Sequence, residues 1–178
     1  SAILLTASHT HTGPVVGENL RTMYDLPREE WEKIRSYTRD LEDKMVSVIL
    51  SALENLEPAK LERGNGTAGF AMNRRLFVPA QVAMRDNPIG TVDHDVPVLK
   101  VTDPQGKLKA ILFGYACHNT TLSDYGICGD YAGYAQEYLQ EQHPGVTALF
   151  FAGCGADANP SPRTGLEYAQ QHGRELSQ

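Results

Sequence analysis

Between Arg28 and about Leu56, apolar side chains return at steps of three and four: Trp31, Ile34, Tyr37, Leu41, Met45, Val48, Ala52 and Leu56. A helix alone gathers residues so spaced on one side, so the stretch predicts a long amphipathic helix. Pro27 suits its start, where a missing N–H removes no hydrogen bond. Glu29 and Glu30 put carboxylates at the positive end of the dipole. Pro58 lies just past the expected end. The whole stripe is expected to pack as core.

The rest of the chain changes period. Ala2–Thr6 is a short apolar run and predicts a buried strand, followed by the polar, Gly/Pro-punctuated loop Ser8–Gly17. Lys60–Phe70 is Gly-rich, a strand pair or an irregular segment. Asn73–Asn87 is expected as an arginine-rich loop or short helix. Val96–Thr102 and Leu108–Ala116 predict two strands of a hairpin, joined by Asp103-Pro104-Gln105-Gly106. Tyr131–Gln142 predicts a helix with Tyr134, Tyr138 and Leu139 on one face, stopped by Pro144-Gly145. Val146–Phe151 predicts a last strand, the Gly-rich loop Gly153–Pro162 follows it, and Gly165–Gln178 has a helical pattern. Together these predict an α/β fold: a mixed β-sheet with flanking helices and active-site loops at strand ends.

The chain has 178 residues, which fits one domain. It opens without an initiator Met and ends within a helical pattern, so residues 1–178 are expected to be a single partial domain of a larger protein. The formal charge of −6 argues against a nucleic-acid partner, which needs a clustered basic face. No apolar run approaches the roughly 20 residues that span a bilayer. Cys117, Cys128 and Cys154 form no Cys-x-x-Cys pair, and an odd number is a poor disulfide framework. They are expected as small buried residues.

The chemistry-bearing residues cluster just after strand-like runs, where mixed α/β folds assemble their sites. In Ser8-His9-Thr10-His11-Thr12-Gly13-Pro14 the two histidines are two apart, and in extended chain such residues share a face. Neutral imidazole suits zinc. Either both histidines approach one ion, or one binds metal while the other meets substrate, or the segment is a hydrogen-bonded polar loop. His118 follows the Leu108–Ala116 run and is a structural histidine or a further ligand. Asn73-Arg74-Arg75 sets two cations side by side, either solvated or aimed at carboxylates, amide oxygens or oxyanions. Asp93-His94-Asp95 reads as a capped turn entering a strand, and Asp130 as a helix N-cap. His143 and His172 sit in surface-like helical contexts.

Several of these motifs line up with a known family. Ser8–Pro14, Asn73-Arg74-Arg75 with Asn87-Pro88, Asp93-His94-Asp95-Val96-Pro97-Val98-Leu99-Lys100, Ala116-Cys117-His118-Asn119-Thr120-Thr121, Gly129-Asp130-Tyr131-Ala132-Gly133-Tyr134 and Gly153-Cys154-Gly155-Ala156-Asp157-Ala158-Asn159-Pro160 occur in family order. The chain resembles the N-terminal catalytic domain of neutral/alkaline, non-lysosomal ceramidases. The resemblance implies a zinc-dependent amidase that cleaves an N-acyl bond. It makes His9 and His118 zinc ligands, His11 a contact of the reacting centre and Arg74 an active-site arginine. Asp157 is expected to orient a histidine or its own loop.

The resemblance further implies a small-molecule or lipid amide substrate, peripheral membrane association through such a lipid, and an extracytoplasmic or secreted location. It places the remaining ligands, a glutamate and a tyrosine, downstream of this chain, so this piece alone is expected to bind zinc poorly. Where ceramidases carry a nucleophilic serine, this chain has Asn159, and Ser161 comes two residues late. Asn159 cannot attack, but it can orient a water or donate to an oxyanion. A related hydrolase acting on a different amide or ester, a homologue that binds lipid or sugar without turnover, and a metal hydrolase of the amidohydrolase type are the alternatives.

Overall fold

The computed structural model describes residues 3–18 and 21–178. The chain divides into two compact units: residues up to Gly13 together with Ala59–Gln178, and Pro14–Pro58.

The Pro14–Pro58 unit holds a 3-10 turn, Arg21–Met23, and helix α1, Arg28–Glu54. The predicted helix forms, but its stripe does not become core. Trp31 is the one buried residue of α1, and Met45, Val48 and the nearby Leu56 are exposed. The period made the helix legible, while burial needs a facing surface that no pattern supplies. Arg21 stacks on the Trp31 ring at 5.7 Å.

The second unit is built on a four-stranded sheet in the order β1-β5-β6-β7: β1 is Lys60–Thr67, β5 Asp95–Thr102, β6 Leu108–Tyr115 and β7 Thr147–Ala152. The first three strands run antiparallel, and β6 and β7 run parallel. The predicted hairpin is β5–β6. In its turn Asp103 accepts the N–H groups of Gln105 and Lys107, and Gly106 takes φ +90. A parallel pair needs a crossover, and helix α2, Asp130–Gln142, supplies it between β6 and β7. Its buried Tyr131, Ala135 and Leu139 fall four apart, on the face turned to the core. There the rings of Phe70, Phe113, Tyr115, Tyr131 and Phe150 meet, with centroid distances of 4.7–6.4 Å. Helix α3, Leu166–Leu176, packs on α2.

Several expectations are corrected. Ile3, Leu4 and Leu5 lie in no strand and are exposed; Ala2 falls outside the described residues. Without a neighbouring ladder, an apolar run is not a strand. The Asn73–Asn87 stretch is neither loop nor helix. It contains the end of β2 (Ala71–Asn73) and the hairpin of β3 (Arg75–Val78) with β4 (Gln81–Met84). β2 pairs with β8, Ala158–Pro160, a strand hidden in the expected Gly-rich loop. Gly129, not Asp130, is the N-cap of α2. Asp130 is buried within the first turn, where its carboxylate accepts the N–H groups of Leu122 and Tyr131. His172 is buried rather than at the surface: it stacks on Phe70 at 4.4 Å and donates from Nε2 to Pro162 O. Of the cysteines only Cys117 is buried; Cys128 is half-buried and Cys154 exposed. The Asp93 turn forms as expected, with Asp93 Oδ1 accepting from the Asp95 N–H.

Candidate active site

Three imidazoles come together beyond the end of β6. The ring centroids of His9 and His118 are 4.9 Å apart, those of His9 and His11 4.9 Å, and those of His11 and His118 6.3 Å. The 8–12 segment forms no strand, and hydrogen bonds rather than strand alternation set it. Thr10 and Thr12 both donate to Cys128 O, at 3.1 and 2.9 Å, and the two histidines bring their Nε2 atoms to 3.3 Å. Two further bonds hold the segment down: Cys128 N–H to Thr12 O at 3.0 Å, and Asn119 Nδ2 to Ser8 O at 2.5 Å. His9 itself has φ +59, a left-handed backbone that a side chain seldom adopts and that clusters at functional sites.

His118 leaves the strand end with its orientation fixed. Its N–H donates to Ala158 O at 3.0 Å, and its Nδ1 donates to Gly155 O at 2.8 Å. With the proton on Nδ1, Nε2 carries the lone pair and accepts from Arg74 Nη2 at 3.0 Å. Burial first, with Arg74 and His9 adding to it, holds the His118 ring below its ordinary pKa. His11 is lowered by burial and then by His9, Arg74 and Arg163. Both shifts favour the neutral imidazole that a metal requires.

The β2–β8 pairing carries Arg74 into this corner. Its main-chain N–H donates to Asp157 O at 2.7 Å. Its guanidinium donates to Ala156 O, to Asn159 Oδ1 at 3.1 Å and to His118. Asn159 is buried and also receives Thr120 Oγ1 at 3.5 Å. Asp157 is exposed; its carboxylate accepts from Asn73 Nδ2 of β2 at 3.5 Å, and no hydrogen bond joins it to a histidine among the described residues. Gly155 is where the loop crosses the strand end. A Cβ there would stand 2.3 Å from Ala116 C and Cys117 N. A cleft of about 210 Å³ opens between His9, His118 and this loop.

The structure thus gathers His9, His11, His118, Arg74 and Asn159, and leaves the Asp157 side chain at the margin. Sequence reasoning missed Asn119 and Asp130 as buried supports. For Asn119 the one signal is the unbroken polar run Asn119-Thr120-Thr121 shortly after β6. Among the described residues no three His, Cys, Asp or Glu side chains are arranged to hold a metal ion. His9 and His118 fit the nitrogen chemistry of zinc. His118 has, on its far nitrogen, the carbonyl partner typical of metal-bound imidazole. In number they fall short of the three protein ligands that a catalytic zinc takes.

No protein-family model and no curated protein matches the chain. Among solved structures it is similar to neutral ceramidase from Pseudomonas aeruginosa, at 20% identity and TM-score 0.63. That match covers 79% of this chain and 25% of the other. It is also similar to a ceramidase complexed with C2, at 22% identity and TM-score 0.72, over 97% of this chain and 29% of the other. The mixed sheet, its flanking helices and the strand-end loops therefore constitute the fold seen in a quarter to three-tenths of the length of those two ceramidases.

Proposed function

We propose that this chain forms part of a zinc-dependent hydrolase of N-acyl amides, similar to the ceramidases whose fold it shares. The observation that carries the reading is the meeting of His9, His11 and His118 with Arg74 at one strand end. His9 and His118 would hold the metal, with the further ligands supplied by the glutamate and tyrosine that the resemblance places downstream. Bound zinc would polarise the scissile carbonyl and lower the pKa of a water toward neutral. Gly155 O keeps the His118 proton on Nδ1 and the lone pair on Nε2, which accepts from Arg74 in the structure and would bind the metal once Arg74 releases it. His11 and Arg74 would stabilise the negative oxygen of the tetrahedral intermediate; Arg74 is held beside His118 by Ala156 O and Asn159. With its Oδ1 occupied by Arg74, Asn159 serves as an orienting group and no nucleophile.

The test uses the full-length protein. It should contain zinc by elemental analysis and release fatty acid from N-acyl amides. His9→Ala and His118→Ala should each lose both properties. Metal content and turnover unchanged in the two variants would refute the assignment. A second reading, a homologue that binds lipid without turnover, is favoured by Asn159 in the serine's place. Bound zinc with no hydrolysis of acyl amides, esters or lactams would establish it. The amidohydrolase alternative loses support, because the histidine pair follows an irregular segment and the sheet is mixed rather than a parallel barrel.

A further inference from the structure

Asp130 opens helix α2 with φ +55, a left-handed backbone that a side chain seldom adopts. Its carboxylate is fully buried and takes two N–H groups that arrive from different parts of the chain. Oδ1 accepts from Tyr131 at 2.7 Å, and Oδ2 accepts from Leu122 at 2.9 Å. The start of a helix accounts for the first bond, because a carboxylate there meets free N–H groups and the positive end of the dipole. It accounts neither for the second, which reaches eight residues back, nor for the left-handed backbone. Such strain persists only where the surroundings impose it.

The two bonds close the stretch from Leu122 to Asp130 into a loop, with Cys128 near its end. The Asp130 N–H donates to Cys128 Sγ at 3.4 Å. Cys128 in turn grips the histidine segment three times. Its N–H donates to Thr12 O at 3.0 Å, and its O accepts the hydroxyls of Thr10 at 3.1 Å and Thr12 at 2.9 Å. Thr12 is buried and Thr10 half-buried, whereas His9 and His11 are exposed. The threonines thus face the protein, and the imidazoles are left to meet each other and His118. The buried carboxylate reaches the imidazoles through a chain of hydrogen bonds and two short lengths of backbone.

We propose that Asp130 is a positioning residue of the histidine site: it holds Cys128 where Thr10 and Thr12 grip it, and so sets the directions of His9 and His11. That the two histidines serve zinc rests on the hydrolase reading above. A carboxylate suits this task because each of its oxygens accepts one N–H. An asparagine has a single such oxygen, and its amide would turn a donor toward the other N–H. Asp130→Asn keeps the size of the side chain, and asparagine tolerates the left-handed backbone. It releases one end of the loop.

The test uses the full-length protein. In the metal-free protein, with isotope-labelled histidine, Asp130→Asn should move the NMR ring signals of His9 and His11 together. The signal of His143, at the other end of α2, should stay in place. In chelator competition the same variant should lose about 10- to 100-fold in zinc affinity, the effect of removing a support behind a metal ligand. Thr10→Val combined with Thr12→Val deletes both hydroxyl donors and should give the same two results. Thr10→Ser combined with Thr12→Ser keeps the donors and should restore most of the affinity. Stability lost in Asp130→Asn with ring signals and zinc affinity intact overturns the proposal, because Asp130 would then only start the helix. Equal ring signals and affinities in the valine and serine pairs overturn it as well, and this comparison decides should Asp130→Asn fail to fold. A wild type that binds no zinc refutes the hydrolase reading instead, and the ring signals of the metal-free protein then decide on Asp130.

Discussion

Helix α1 and the loops that end β6 and β7 treat their side chains in opposite ways. α1 carries an apolar stripe and buries Trp31 alone, while Val48 stays 68% exposed. The loop that ends β6 and the first turn of α2 after it carry polar residues and bury them: Asn119 and Asp130 are fully enclosed. Asn119 and Asp130 can be buried because both find partners. Asn119 donates to Ser8 O and accepts from the Ala132 N–H, and Asp130 accepts from Leu122 and Tyr131. Residue type proposes burial, and the facing surface decides it.

If that contrast is sound, the largest stability loss comes where the strand ends meet α2. Tyr131 is wholly buried against Phe70, Tyr115 and Phe150, and its hydroxyl donates to Cys117 O at 2.7 Å. Tyr131→Ala should cost about 4 kcal/mol in urea unfolding. A loss under about 1 kcal/mol would mean that this region packs no better than α1, and would break the comparison. Gly155→Ala comes next. The new methyl meets main-chain atoms at 2.3 Å, so the loop must move. We expect a loss of about 3 kcal/mol. The same shift takes Gly155 O from His118 Nδ1, so the His118 ring signals in NMR should move even where the chain stays folded.

The contrast also explains what could be read from the sequence. The β5–β6 hairpin was legible because Pro104 and Gly106 mark a local turn. Helix α2 and helix α1 were legible from their period. The approach of His9, His11 and His118 was expected from their place after strand-like runs and from the family resemblance. Illegible were the features that depend on distant partners. β2 and β8 are three residues each, and their pairing brings together Arg74 and Asn159, 85 positions apart. Nothing within either segment encodes that meeting. Ile3-Leu4-Leu5 and the α1 stripe failed for the same reason, in reverse: their patterns are local, and their burial depends on a surface the pattern does not contain.

Asn119 tests the polar half of the comparison. Asn119→Ala leaves Ser8 O and the Ala132 N–H without partners in a buried place. The expected cost is about 2 kcal/mol. Because Ser8 precedes His9 directly, zinc affinity of the full-length protein should fall as well, by about 10- to 100-fold in a chelator competition. Stability lost with zinc affinity intact would show that Asn119 supports the core without positioning His9.

Val48→Ser tests the apolar half and should do least. At an exposed position in the interior of α1, nothing is lost from a core, because Val48 has none around it. Valine and serine have similar helix propensities, so the backbone term nearly cancels. The neighbouring turns keep their exposed pairs, Lys44 with Asp40 among them, each worth a few tenths of a kcal/mol at most. The change in unfolding free energy should stay within about 0.5 kcal/mol. A loss above about 2 kcal/mol in the full-length protein would mean that the α1 stripe is covered there. The helix and the strand-end loops would then obey the same rule, each burying whatever its partner surface matches.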